Sequence, residues 1–560
     1  MKTIMDESSV LWQVRRPLRI RPLPLTGLLI LILIIWYPAG VINTGGLPVL
    51  GAFLAGALQP DISGGFLLRI GHSSLVTLAY GLLGTLGALV PGLIGGVLSS
   101  EVWFEAMGGI RRRFWWRPHL LMRLALTVPR AVHEAVWGLI LIGIFGLHPL
   151  AGLLAIMLTF SAIFARVFSG MLDTVDRAPF RSLVRGGTRP MVAFVYGILP
   201  GAGRHLLAYS FYRFECAVRS SVILGMIGAG GLGYELILSV RSMRYDEIWT
   251  ILYTVMLLNG AVMLWSQNLR RRLAAPGPGR RYARTGGVIL VLTILSCVTL
   301  FAGHDLPSLS RAASLSGELL ASAWPPDFSR PDLLAAETIR TLGMSLLAIV
   351  LAVLLALVHT FLWSIRRRRE WDRSRWYDLP VGDGLLLLLR TLPAPVWAVL
   401  FLFVFYPGAV PGILALGVYQ FAVLGRLFTE TLGDRPETAA RALHYGGSGA
   451  TGIFLYGFLP GAGKAMAGLS LYRWEICLRE TIVVGLVGAG GLGYLLAGDL
   501  AAFDYPRISA ILFCFLLLTL IPELLSWQRR APGDPRAPGA YDEKGNQAAG
   551  ATVRPGVPLP

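Results

Sequence analysis

Apolar residues run through this chain in stretches of membrane length, separated by short basic or Gly/Pro-rich breaks. A helix rising 1.5 Å per residue needs about 20 apolar residues to cross a bilayer core. Stretches that fit lie near 25–41, 74–98, 128–147, 149–169, 222–240 and 248–265, and again near 287–303, 338–362, 384–406, 409–428, 481–497 and 508–526. The pattern predicts six spans, a break, and six more. The run at 25–41 follows basic residues as a signal peptide would, but no small-x-small site closes it, so it is expected to stay as a first helix.

The two sets of six are copies. Residues 196–234 read YGILPGAGRHLLAYSFYRFECAVRSSVILGMIGAGGLGY, and residues 456–494 read YGFLPGAGKAMAGLSLYRWEICLRETIVVGLVGAGGLGY, at one constant offset of 260. Such fixed-spacing likeness marks an internal duplication. An even number of spans returns each half to the side it started from, so the repeats are expected to be parallel, with the polar loops 170–221 and 429–480 on one side. This divides the chain into a first half at 1–275, a linker at 276–286, a second half at 287–530 and a Pro/Gly/charge-rich tail at 531–560 that is expected to be disordered and cytoplasmic.

Composition agrees with membrane residence. Hydrophobic residues make up 54% and charged residues only 15%, against about a quarter charged in soluble chains. The net charge of +18 sits in clusters such as RRPLRIRP, RRRFWWRP and RRRREWDRSR that flank apolar runs. That is the positive-inside pattern, and it places both termini and both polar loops in the cytoplasm. No basic face with interleaved aromatics stands on a soluble domain, so nucleic acid is not an expected partner; membrane lipid is. Cys216, Cys297, Cys477 and Cys514 form no CxxC pair, which argues against a disulfide framework or a metal site.

GAGGLG occurs at 228–233 and at 488–493 and literally satisfies GxGxxG. A dinucleotide site needs a strand before it and a helix opening after it, whereas here the glycines lie inside apolar runs. In lipid they permit close backbone approach or a local break facing a cavity. Gly225, Gly228, Gly230, Gly231 and Gly233, with Gly485, Gly488, Gly490, Gly491 and Gly493, are the candidate pathway lining. GAGKAMAG around Lys464 fails the P-loop spacing, and no HExxH or nucleophile motif is present, so the chain is not expected to be an enzyme.

Gly187 precedes Pro200 by 13 residues and Gly447 precedes Pro460 by 13. This layout resembles the coupling loop of ATP-binding-cassette importer permeases, in which Glu-Ala-Ala, three residues, Gly and a later I-x-L-P recur. LPGAG, then YRFE or YRWE, an Arg four residues on, and GxxGAGGLGY is similar to the phosphonate importer permeases. The resemblance implies an all-α polytopic membrane protein with the importer-permease (MetI-like) fold, in the bacterial inner membrane. It implies as partners two ATP-binding-cassette ATPase subunits, which carry the ATP and Mg, and a periplasmic or lipid-anchored solute-binding protein, with no cofactor in this chain. The ATPase-coupling loops would be about 176–200, with Arg181, Gly186, Gly187, Leu199 and Pro200, and about 436–460, with Arg441, Gly446, Gly447, Leu459 and Pro460. Two departures stand out. The Glu-Ala-Ala slots hold Arg181-Ser182-Leu183 and Arg441-Ala442-Leu443, and the isoleucine slots hold Gly197 and Gly457.

Tyr212, Arg213, Glu215 and Arg219, with Tyr472, Arg473, Glu475 and Arg479, fall on the amphipathic approach to the glycine-rich span. Interfacial anchoring or passing loop motion to the spans is expected of them. Aligning Pro129 with Pro393 matches His133 and Glu134 with Trp397 and Ala398, Glu235 is matched by Leu495, and no ring of Arg or Lys is expected at mid-membrane. The function implied is import of phosphonate or a related phosphorus oxyanion such as phosphite or a phosphate ester. The alternatives are an ion-gradient-driven secondary transporter, or a permease of the same fold for an unrelated solute.

Overall fold

The reason the chain folds as two interlocked halves lies in its small residues. In the computed structural model, which describes residues 43, 45–106, 118–274, 280–302, 309–372, 381–434 and 437–528, long helices cross where glycine removes the side chain between them. The first half has α1 (Gly46–Gly56), α2 (Gly64–Leu98), α3 (Glu101–Ala106), α4 (Pro118–Ala131), α5 (Glu134–Phe145), α6 (Pro149–Thr174), α7 (Ala178–Arg185), α8 (Pro190–Gly197), α9 (Leu199–Leu224), α10 (Leu232–Arg241) and α11 (Tyr245–Ala274). The second has α12 (Arg280–Phe301), α13 (Leu309–Ser322), α14 (Pro331–Asp372), α15 (Val381–Thr391), α16 (Ala394–Leu402), α17 (Ala409–Gly433), α18 (Thr438–Tyr445), the single turn α19 (Ala450–Gly452), α20 (Leu459–Val484), α21 (Leu492–Ala501) and α22 (Tyr505–Gln528). The expected first span at 25–41, the cations at 111–117 and the tail 531–560 lie outside the described residues.

α2 packs along α6 through Gly84, Gly92 and Gly96: a Cβ on these would come within 2.6 Å of Ile156, 2.4 Å of Phe164 and 2.8 Å of Phe168. In the second half the small residue has changed sides. Gly87 of α2 faces Met157 of α6, whereas their counterparts are Leu351 of α14 and Gly417 of α17. Either arrangement lets two backbones approach and bury the remaining large side chain.

The halves exchange elements. Val132, Ala135 and Val136, around the α4–α5 junction, pack into a core with Leu478, Ile482, Leu492, Ile511 and Phe515 of the second half. Reciprocally, Leu392 at the break after α15 and Val396 of α16 join Val222, Leu232, Ile248 and Ile251. Leu300 at the end of α12 is buried in the first half's core.

Six described helices are long and apolar enough to span, and four bent pairs raise the count to ten; a shorter apolar helix covers Thr285–Phe301. The continuous spans expected near 128–147 and 384–406 are instead broken, with α4 and α5 meeting at 80° and α15 and α16 at 84°. Pro129 and Pro393 mark these breaks. His133 caps α5 by accepting from Ala135 N at 3.2 Å, and Pro393 occupies the same cap position before α16. The structure therefore aligns the halves at 260 through this segment, not Pro129 with Pro393. Trp137 donates to Pro129 O and Trp397 to Leu389 O, each eight residues back, at 3.3 Å. Arg130 and Arg390 thereby become counterparts.

Candidate functional site

Three features of each half converge on one helix. α7 ends at Gly186, and Gly187 turns the chain with φ +84°, a conformation that glycine adopts without a Cβ clash. Thr188 N then bonds Leu183 O at 3.1 Å, closing the helix end before α8. The second copy repeats this with Gly447 at φ +78° and Ser448 N to Leu443 O at 2.9 Å. The glycines in the isoleucine slots now have a physical reason: a Cβ on Gly197 would lie 2.8 Å from the Phe180 backbone, and one on Gly457 2.8 Å from Ala440 Cα. α7 and α18 ride directly on these positions. Leu199–Pro200 and Leu459–Pro460 open α9 and α20, where a proline's missing N–H costs nothing. Arg181 is exposed on α7, while Arg441 is forked onto Glu437 at 2.9 and 3.1 Å.

About 21 Å along α9, at 1.5 Å per residue, come Tyr212, Arg213, Glu215 and Arg219. These do not line an outer interface. They lie where the halves join, and the ion pairs cross between halves, from α9 to α15 and from α20 to α4. Glu215 takes Arg219 at 3.5 Å and Arg390 at 3.3 Å. Glu475 takes Arg479 at 3.2 Å and Arg130 at 3.1 Å. Arg219 also donates to Tyr419 Oη at 3.3 Å, and Arg479 to Arg130 O at 3.2 Å. Arg473 donates through Nε to Gln420 Oε1 at 2.8 Å, and Gln420 in turn donates to Glu480 Oε2 at 2.7 Å. Arg213 lies over the Phe160 ring, 3.9 Å from its centroid. Glu134 sits beside His133 at 3.5 Å and accepts from Ser220 Oγ. The expectation of no central arginine group is thus corrected: Arg130, Arg213, Arg219, Arg390, Arg473 and Arg479 gather from both halves. Arg130 and Arg390 were missed because the proline alignment hid their equivalence.

Beyond this cluster, α9 and α20 run into the glycine motifs, which break the expected spans at 222–240 and 481–497. A wider helical turn covers Gly225–Ala229, and Gly228, Gly230 and Gly231 have φ of +112°, +87° and +76°. Gly485–Ala489 repeats it, with +107°, +81° and +75° at Gly488, Gly490 and Gly491, and the chain turns by 62° into α21. Gly225 meets Gly233 and Gly485 meets Gly493 across the break. The close approach is thus within one hairpin. The restarting helices are capped from α2 and α14: Leu232 N donates to Thr77 Oγ1 at 2.9 Å and Leu492 N to Thr341 Oγ1 at 2.8 Å.

Each break also has a carboxylate, supplied from opposite sides. In the first half Glu235 of α10 accepts from Ser73 of α2 at 3.4 Å and pairs with Arg69 at 3.4 Å. In the second, the Ser73 counterpart is Glu337, which accepts from Gly491 N at 2.9 Å and pairs with Arg340 at 2.7 Å, and the Glu235 counterpart is Leu495.

Two parallel helical halves, each with a hairpin feeding a helix that carries a shared polar centre and ends in a broken span, define a polytopic membrane permease. The chain belongs to the family described as binding-protein-dependent transport system inner membrane component, whose model matches residues 92–275 and 372–526. It is similar to the phosphate-import permease protein PhnE of Mycolicibacterium smegmatis, 24% identical over 422 residues, covering 73% of this chain and 77% of that one. It is 32% identical over 246 residues to the phosphite transport system permease protein PtxC of Stutzerimonas stutzeri, covering 43% of this chain and 84% of the relative. A putative cryptic phosphonate transport system permease of Escherichia coli is 27% identical over 119 residues, 21% of this chain and 98% of that one. No solved structure matches the chain.

Proposed function

We infer that the chain is the permease of an ATP-driven importer for a phosphorus oxyanion, among phosphonate, phosphite and phosphate esters. The observation that carries this is the gathering of six arginines from both halves at the junction of α9 and α20, in a chain whose relatives are permeases for phosphate, phosphite and phosphonate. A centre with more guanidinium than carboxylate favours anions over cations and neutral solutes.

The hairpins α7–α8 and α18–α19 are the coupling loops, each taken by one of two ATPase subunits that bind ATP and Mg. Both loops and both termini face the cytoplasm, and a solute-binding protein delivers the anion from the other side. Because α7 rides on Gly197 and α18 on Gly457, ATPase closure would tilt α9 and α20, and with them the arginines and the glycine breaks at Gly225–Gly233 and Gly485–Gly493 that border the pathway.

Reconstitution with the ATPase and binding protein tests this. Methylphosphonate, phosphite and phosphate are compared with sulfate and an amino acid for stimulation of ATP hydrolysis and for uptake. Stimulation confined to one or more phosphorus oxyanions is expected. Uptake that proceeds without the ATPase, or a response to none of the three, refutes it. Reagents reaching cysteines placed beside Gly187 or Gly447 only from the outer side would refute the orientation.

A further inference from the structure

Four of the six central arginines are in direct ion pairs, and two are not, although Glu134 and Glu480 are neighbours of those two. Arg219 and Arg390 pair with Glu215, and Arg130 and Arg479 pair with Glu475. Arg213 and Arg473, which occupy equivalent positions in the two halves, make no ion pair among the described residues. Arg213 Nε and Arg473 Nη2 are also buried without a hydrogen-bond partner within the protein. Arg473 is only 7% exposed. A guanidinium has five donors and no way to shed its charge, so leaving its N–H groups unmatched in the interior is unfavourable unless an acceptor arrives.

Half-exposed tyrosines stand next to both groups in sequence. Tyr212 and Tyr472 are 38% and 41% exposed although they lie at the junction of the halves, and Tyr212 lies within electrostatic reach of both Tyr472 and Arg473. Tyr209, which packs against Tyr212 at 5.9 Å, is likewise a neighbour of Arg213 and Tyr472. The tyrosines thus lie among the groups around both arginines, and two of them reach the surface.

We propose that Arg213 and Arg473 form a two-arginine clasp that holds the phosphorus oxyanion as it passes between the halves, with Tyr212 and Tyr472 at its mouth. This deepens the import reading and rests on it. Tetrahedral oxyanions offer three or more acceptor oxygens, and guanidinium forks bind them with two parallel N–H···O bonds where an ammonium gives a point contact. The clasp is unequal by construction. Gln420 fixes Arg473 through Nε and is itself held by Glu480, whereas its counterpart in the first half is Phe160, on whose ring face Arg213 lies. A stacked guanidinium keeps its edge donors free and can slide, so Arg473 is the fixed arm and Arg213 the yielding one. Release is easier from a site with one yielding arm than from two rigid ones.

The test uses the full chain in nanodiscs, with and without its ATPase and binding protein. Without the binding protein, ³¹P line broadening of methylphosphonate and of phosphite reports contact with the permease itself. Wild type is expected to broaden both. R213Q and R473Q should each lose at least half of the broadening, and the double variant all of it, with uptake by the complete assembly falling at least tenfold. R213K and R473K keep charge and bulk and guard against misfolding: they should copurify with the ATPase and still weaken broadening by several-fold. Broadening in both Gln and both Lys variants within the scatter of wild type overturns the clasp while leaving the import reading intact. A wild-type assembly that transports none of the phosphorus oxyanions overturns both. F160Q should bring Arg213 under the same restraint as Arg473, slowing turnover more than it weakens broadening; an equal loss of both measures would refute the yielding arm.

Discussion

Replacing Glu475 by Gln should loosen the two halves from one another. One oxygen, Oε1, accepts from Arg130 of the first half at 3.1 Å and from Arg479 at 3.2 Å. The side chains of Arg130, Glu475 and Arg479 are only 13%, 13% and 14% exposed, so water screens them poorly. At an effective dielectric of 20, a single pair at this distance gains roughly 5 kcal/mol before desolvation is charged against it. Removing one member of a buried pair costs about 3–5 kcal/mol, chiefly because the other charge is stranded. Here two guanidiniums lose the carboxylate, but the amide oxygen of Gln still accepts one bond, so about 3 kcal/mol is expected. That corresponds to roughly a 150-fold shift in the unfolding equilibrium. Arg130→Gln in the same background should then be partly forgiven, because the carboxylate it pairs with is already gone. A double-mutant cycle by reversible unfolding in mixed micelles should give a coupling of about 1–3 kcal/mol. A coupling below about 0.5 kcal/mol would mean that the halves are held by apolar packing alone and that the crossing ion pairs are incidental.

Gly493→Ala should cost about 3 kcal/mol or more, since its Cβ would sit 2.1 Å from Ile482 O and 2.9 Å from Gly485 Cα, backbone that no rotamer change can move aside; a wild-type yield of monodisperse protein would refute it. At Gly187, with nothing within 4 Å of an added Cβ but φ at +84°, Gly187→Asn should keep uptake and Gly187→Val should abolish it while insertion survives, as read by transport and membrane fractionation. Equal uptake in the two would show that the turn geometry is unimportant. Arg181→Glu should lower copurification of the ATPase several-fold, because the exposed cation replaces the family's glutamate and calls for an acidic socket; retention equal to wild type would remove that role. Finally, Glu337→Ser strands Arg340 and the Gly491 amide, and adding Leu495→Glu, which copies the first half, should recover thermal stability. A double variant less stable than Glu337→Ser alone would show that the two arrangements are not interchangeable.

The helical class, the duplication and the glycine turns of the polar hairpins were legible because they reside in residue types that repeat at a fixed offset. Gly187 and Gly447 share a positive φ, and the six-residue glycine motifs share three each. What sequence comparison missed are contacts that repeat while their residues do not. Ser73 and Glu235 become Glu337 and Leu495, Ser220 and Glu134 become Glu480 and Ala394, and Gly87 and Met157 become Leu351 and Gly417. Compared one position at a time, each carboxylate looks unduplicated. Compared as contacts, each half keeps a carboxylate by its glycine break, another by its central arginine, and one small residue between its packed helices. Periodicity also cannot foresee that Glu215 and Glu475 leave an amphipathic face to pair with arginines of the other half, since that depends on how the halves cross.

Fusion explains why such exchanges are tolerated here. In a symmetric dimer of identical subunits, whatever stands on one side of the axis must stand on the other, so a change of Phe160 to Gln would alter both arms of the centre at once. A single chain carrying both halves escapes that constraint: a residue lost from one helix can be regained on its neighbour in that half alone. The crossing pairs Arg130–Glu475 and Arg390–Glu215, which hold the halves together, have stayed reciprocal. The surroundings of Arg213 and Arg473 have not, with an aromatic ring on one side and a hydrogen-bonded amide on the other. Reciprocity where the halves grip each other and inequality where the solute would pass is the distribution expected if structure constrains the first and transport exploits the second.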